Sequence, residues 1–179
     1  MRLHCLRIET IWNTSLLIAL LFAALISQAA PSLPALPSST NLPLLTISGK
    51  IGTKDHVGKA EFSLAALDNL PQQTNETWTP WHNGVQKFSG PTFYEVLKAV
   101  NAQGTNVVVT AINDYASTIP IQELRQYPII LATRINGKTI PIRDKGPLII
   151  IYPFDRYPET KNEISYFRSV WNVRAVEVR

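Results

Sequence analysis

From Thr77 to Val100 the chain reads TWTPWHNGVQKFSGPTFYEVLKAV, an aromatic-rich loop that leads through a short strand and a Ser-Gly-Pro turn into a well-marked helix. Phe93, Val96, Leu97 and Val100 fall at i, i+3, i+4 and i+7, so this helix has one apolar stripe that must face a core. Pro91 suits its first turn, where the missing N–H costs nothing, and Gly104 can take the left-handed conformation that closes it. A helix pressed against β-branched runs on both sides constrains the fold to strands packed with short helices.

The flanking segments supply those strands. LLTISGKI and KAEFS read as short strands, and Ser63 as the N-cap of a helix carrying Leu64, Leu67 and Leu70 on one face until Pro71 ends it. QQTNETW reads as a polar connection. TNVVVTAI is rich in β-branched residues and reads as a strand ended by Asn113-Asp114-Tyr115. Pro120 opens a short helix with Ile121 and Leu124, and PIILATRI begins another strand. Asn136-Gly137 predicts a type I′ hairpin joining ATRI to KTIPI. Leu148 to Tyr152 is continuously apolar and predicts a strand buried on both faces. In VWNVRAVEV the Trp171/Val173 and Val176/Val178 pairs are out of phase, which predicts a β-bulge near Arg174-Ala175. The fold class is therefore α+β, a mixed and curved β-sheet with short helices.

The N-terminus predicts export. Arg2 and Arg7 precede an apolar run from Leu16 to Ile26 and the small residues Ser27-Gln28-Ala29-Ala30, the pattern of a cleavable signal peptide over residues 1–29, with cleavage after Ala29. The apolar run of about 11 residues falls short of the roughly 20 needed to span a bilayer. No membrane span is expected once the leader is removed, and a periplasmic or secreted location follows. Residues 30–43, rich in Pro and Ser, read as a linker, and residues 44–179 as one domain. The single cysteine, Cys5, leaves with the leader, so no disulfide or thiolate chemistry is expected of the mature chain. The net charge of +4 is scattered rather than clustered, which argues against nucleic acid as a partner.

The Thr77–Val100 block, together with NDYASTIPIQEL from Asn113 and DKGPLIIIYPFDRYPE from Asp144, resembles the oxidoreductase molybdopterin-binding domain family, whose fold is that of the sulfite oxidase catalytic domain, and within it the small exported single-domain members. The resemblance implies a sulfite-oxidase-type fold and molybdopterin as the cofactor class. It also implies a cysteine thiolate on molybdenum within the segment equivalent to Thr77–Trp81. This chain reads TWTPW there, and the position four residues before Trp81 is Thr77, whose hydroxyl has no thiolate character at neutral pH. A soft thiolate suits that metal, and a threonine hydroxyl cannot supply the same bond.

The resemblance places three loops around one pocket. The first offers Thr77, Trp81 and His82; its tryptophans, Trp78 and Trp81, suit either a planar ligand or core packing. The second offers Asn113, Asp114 and Tyr115, which could present polar groups to a ring or simply form an Asx-type turn. In the third, Arg143 and Lys145 could bind an anion, with Gly146 permitting close backbone approach, or be solvated cations before a Gly-Pro turn. Tyr152 opens an aromatic loop through Pro158 that should pack over the pocket or form a recognition surface, backed by Arg168 and Trp171. His56 and His82 lack the close-spaced partners of a zinc site, and no metal ligands are assigned.

Two functions are consistent with this pattern. In the first, the domain carries no molybdenum, needs no cofactor, and binds a small-molecule ligand or an exported or membrane protein partner. In the second, it is a molybdopterin-dependent oxidoreductase with a non-thiolate metal ligand. Catalysis stays open between them.

Overall fold

The computed structural model describes residues 42–53, 55 and 58–179. The leader, all of the linker before Leu42, and His56 lie outside the described residues. Strand β1 (Pro43–Gly49) begins one residue before the expected boundary and pairs with β2 (Lys59–Ser63). The chain continues through α1 (Leu64–Asp68), β3 (Gln72–Trp78), β4 (Val85–Pro91) and α2 (Phe93–Ala99). Then follow β5 (Asn106–Ala111), β6 (Ala116–Pro120), α3 (Ile121–Gln126) and β7 (Ile130–Ala132). The hairpin β8 (Arg134–Ile135) and β9 (Lys138–Thr139) leads to β10 (Ile149–Ile151), α4 (Glu163–Arg168) and β11 (Val173–Val178).

These strands form three sheets among the described residues. The largest has the order β2-β1-β11-β5-β6, the second is β3-β4-β8-β9, and β10 pairs with β7. Only the β1–β11 pair is parallel, with Thr46 opposite Ala175, so the architecture is mixed α+β.

Two apolar clusters hold the sheets together, and β10 explains its own composition by serving both. Ile150 points into the larger cluster with Leu45, Phe93, Val96 and Leu97, while Ile149 and Ile151 point into the smaller one with Phe88 and Ile130. Successive side chains of a strand face opposite ways, so a strand between two cores must be apolar throughout. The α2 stripe behaves as its spacing predicts, with Phe93, Val96, Leu97 and Val100 all essentially inaccessible.

Local signals hold in several places. The Ser63 hydroxyl accepts the Ala66 N–H at 3.2 Å as an N-cap. Asn136 (φ 51°) and Gly137 (φ 79°) supply the two positive φ angles of the hairpin turn. The β11–β5 register shifts between Val173 and Ala175, where the bulge was expected. That shift lets Val173, Val176 and Val178 all reach the core.

Other expectations are corrected. QQTNETW is a strand, β3, at the edge of the second sheet. Its inward residues are Asn75 and Thr77, so no apolar alternation marks it, and Asn75 compensates by donating to the Pro128 carbonyl at 2.9 Å. Pro91 ends β4, and Thr92 caps α2 by accepting the Glu95 N–H at 3.2 Å. Asn101 (φ 49°), not Gly104, takes the left-handed conformation after α2. Gly104 is needed for close approach, since a Cβ there would stand 2.2 Å from the Arg179 carbonyl oxygen. ASTIP, which the sequence reading assigned to no element, is the edge strand β6.

Candidate functional site

A cavity of about 370 Å³ opens at one end of the large sheet. Ala111 at the end of β5 pairs with Val173 at the start of β11, and the turns beyond both strands meet where the Ile112 N–H donates to the Asn172 carbonyl at 2.8 Å. The C-terminal part of α4 and the segment after it complete the wall, and the loop after β3 adds Trp81. Five aromatic side chains line the space: Trp81, Tyr115, Tyr166, Phe167 and Trp171. Asn113 and Asn172 stand at the rim, and none of the lining residues is charged.

Trp81 organises this cluster. Its ring lies 6.4 Å from that of Phe154, 6.0 Å from Tyr166 and 5.8 Å from Trp171, each tilted or edge-on. Such geometry sets the positive ring edges against negative faces, which aromatic pairs prefer to a face-to-face sandwich. Trp81 is half-buried, with Phe154 inaccessible beneath it, whereas Trp171, Tyr115 and Phe167 are exposed. Tyr115 is nonetheless fixed, its hydroxyl donating to the Phe167 carbonyl at 2.9 Å. Asn113 accepts the Tyr115 N–H at 3.3 Å, the Asx-type turn that was the plainer expectation for this segment.

Lys145 joins the rim from outside, its ammonium 5.1 Å from the centre of the Trp171 ring. It is held in a left-handed conformation (φ 73°), and its carbonyl accepts the Asn172 N–H at 2.8 Å. His82 faces away, with Nδ1 2.8 Å from the Thr79 hydroxyl and its ring edge-on to Phe88. Burial, and then the positive charge of Lys145, lower the His82 pKa, so the ring favours its neutral form.

Of the residues expected to share one pocket, the structure brings Trp81, Asn113 and Tyr115 together, with Lys145 beside them. The rest point elsewhere. The Asp114 carboxylate projects into solvent and pairs with Arg174 at 2.5 Å. Arg143 is almost fully exposed, 3.7 Å from Asp144. Gly146 allows close approach, but of the Ile140 carbonyl, which a Cβ would meet at 1.9 Å. Tyr152 is inaccessible, and its hydroxyl donates to Glu123 at 2.6 Å. Burial, with the Glu123 carboxylate next, pushes that hydroxyl far above the usual phenol range. The loop after Tyr152 therefore forms a floor under Trp81 rather than a cover.

Tyr166, Phe167 and Asn172 escaped the sequence reading. The signal was present as YFRSVWN, three aromatics in a short span just before a strand, masked because the short α4 that carries them has no continuous apolar stripe. A larger groove of about 650 Å³ runs along α3 and α4, but it is shallow and its Arg168 is already paired with Glu123.

Sequence comparison agrees with this architecture: the oxidoreductase molybdopterin binding domain matches residues 54–154. The chain belongs to this family. No curated protein matches it. The family's cofactor invites a test of fit at Thr77. That side chain is inaccessible, and its hydroxyl donates to the Trp78 carbonyl at 3.2 Å while accepting the Asp155 N–H at 3.1 Å. It is committed to the backbone, it offers no soft donor, and among the described residues no three His, Cys, Asp or Glu side chains converge as a metal site. The donor set does not fit molybdenum. The neighbouring cavity is lined by aromatic side chains and carries no charged group in its lining.

Proposed function

We propose that this family member is an exported binding module that takes a small planar ligand of the pterin kind in the cavity lined by Trp81 and Trp171, without molybdenum. The observation that carries the reading is the wall of five aromatic side chains with no charged residue in the lining. Ligand sites are typically concave and apolar with a few placed polar groups, and this cavity has both features. Flat rings gain from stacking on Trp and Tyr, whose polar tips stay hydrogen-bonded.

Export is proposed from the leader pattern in residues 1–29, and a periplasmic or secreted location with it. Among the described residues no helix is long and apolar enough to cross a membrane. Phe167 on α4 lines the cavity and is more than half exposed, a placement that would let an exported or membrane protein partner sense whether it is filled.

The test is to purify the chain from its own host and measure both metal and extractable small molecules. Molybdenum far below one per chain, with a planar heterocycle recovered on denaturation, is the expected result. Near-stoichiometric molybdenum with bound pterin would overturn the metal-free reading in favour of an oxidoreductase with a non-thiolate ligand.

A further inference from the structure

We infer that Asn83 is a self-modification site, converting without an enzyme to aspartate and isoaspartate, and that Gln86 selects it over the chain's other Asn-Gly pair, Asn136-Gly137. The conversion consumes water and releases ammonia. The Gly84 nitrogen gives up its proton to solvent and attacks Cγ of Asn83; a C–N bond forms, the bond from Cγ to Nδ2 breaks, and Nδ2 leaves as ammonia with a proton from solvent. Water then opens the cyclic imide at either carbonyl. Opening at Cγ gives aspartate, and opening at the main-chain carbonyl gives isoaspartate, whose main chain runs through an extra carbon. Either product puts a carboxylate into the loop that supplies Trp81 to the cavity.

Both pairs have the open backbone that ring closure needs. A Cβ on Gly84 (φ 69°) or Gly137 (φ 79°) would meet nothing within 4 Å, so no neighbouring group crowds the attacking nitrogen. The asparagine side chains differ. Asn83 is exposed, and among the described residues neither its side-chain amide nor the Gly84 N–H has a hydrogen-bond partner. Asn136 is equally exposed but tied at both side-chain atoms: Oδ1 accepts the Lys87 N–H at 3.1 Å, and Nδ2 donates to Gln86 Oε1 at 2.7 Å. Gln86 turns its other end to the first pair, Nε2 donating to the Asn83 carbonyl at 2.6 Å. That bond draws charge out of the peptide group to which the Gly84 nitrogen belongs, and so eases loss of its proton. One side chain restrains Asn136 and activates Asn83.

Incubation of the whole chain in mildly alkaline buffer, folded and in urea, tests this. Mass spectrometry follows the two Asn-Gly peptides, and enzymatic methylation counts the isoaspartate. In urea the two pairs should convert at comparable rates. In the folded chain Asn83 should convert about tenfold or more faster than Asn136, the factor expected when the two side-chain hydrogen bonds of Asn136 must break first. Gln86→Ala frees Asn136 and removes the donor from the Asn83 carbonyl, so it should speed the former, slow the latter and draw the two rates together. Equal rates in the folded chain, faster conversion at Asn136, or an Asn83 that converts only in urea would overturn the inference. An unchanged ratio in a folded Gln86→Ala protein would overturn Gln86 as the selector. Should Gln86→Ala not fold, the folded and urea rates of the unaltered chain still decide. None of these outcomes depends on what the cavity binds.

Discussion

Trp81 and Trp171 meet edge to face with ring centroids 5.8 Å apart, yet Trp81 is half-buried over Phe154 while Trp171 is 38% exposed. The two rings share one cavity and carry unequal shares of the packing. Trp81→Ala should cost about 2–4 kcal/mol of stability and Trp171→Ala about 1 kcal/mol, scaled from the cost of truncating a fully buried aromatic. Both should weaken binding of a planar ligand. Chemical denaturation and calorimetry on the two variants separate the roles, and a Trp171→Ala protein that binds normally would remove the outer wall from the site.

The α2 stripe gives the plainest stability test. Leu97 is 1% exposed within the large cluster, so Leu97→Ala should cost about 2–5 kcal/mol by lost burial and the cavity left behind. A loss below about 1 kcal/mol in urea denaturation would mean that the surrounding side chains close over the gap.

Tyr152 separates structure from site. Its hydroxyl donates to one oxygen of Glu123 at 2.6 Å, and the other oxygen holds Arg168, which also reaches the Thr118 carbonyl at 3.1 Å. Tyr152→Phe keeps the ring stacked on Phe154 but deprives a largely buried carboxylate of one donor. The expected cost is about 1.5–3 kcal/mol, as for hydrogen bonds to charged groups, with ligand affinity unchanged. Weakened binding at unchanged melting temperature would return Tyr152 to the ligand site.

Much of the fold is legible in the sequence because its signals are local. Asn136-Gly137 needs only its own φ angles, the Phe93–Val100 spacing needs only a helix, and the phase break around Ala175 announces its bulge. β3 is hidden because its inward residues, Asn75 and Thr77, are polar and satisfied by groups distant in the chain, and β6 because an edge strand needs little apolar surface. The site follows the same division. Trp81, Asn113 and Tyr115 lie in loops that the family resemblance places around one pocket. Asn172 lies in none of them, and its place depends on Ile142 and Gly146 carbonyls brought to it by the tertiary fold. Asp114 and Arg143 misled for the opposite reason: they have the right chemistry, but their backbone aims them at solvent.

The contacts of Asp155 make the last prediction one of acid stability. Its carboxylate accepts from Lys161 at 2.6 Å and from the Trp78 N–H at 2.7 Å, while its own N–H donates to Thr77 at 3.1 Å. This pins the floor loop beneath Trp81 to the end of β3. The Lys161 ammonium first, and the Trp78 N–H next, hold the carboxyl below its ordinary value of 3.8. A folded-state pKa below the unfolded one means that the unfolded chain binds the proton more readily, so the stabilisation is complete above the ordinary value and is lost as pH falls through the lower, folded-state one. With the side chain about one-third exposed, solvent damps its size. His82, also lowered, acts in a separate and higher window: its contribution is complete above 6.5 and declines as pH falls through its folded-state pKa. Asp155→Asn should therefore lower stability at neutral pH and flatten the loss below about pH 4, while leaving the decline below the histidine range in place. Urea denaturation at a series of pH values checks this, and an acid limb of unchanged steepness in the variant would show that other carboxylates set the acid sensitivity of the fold.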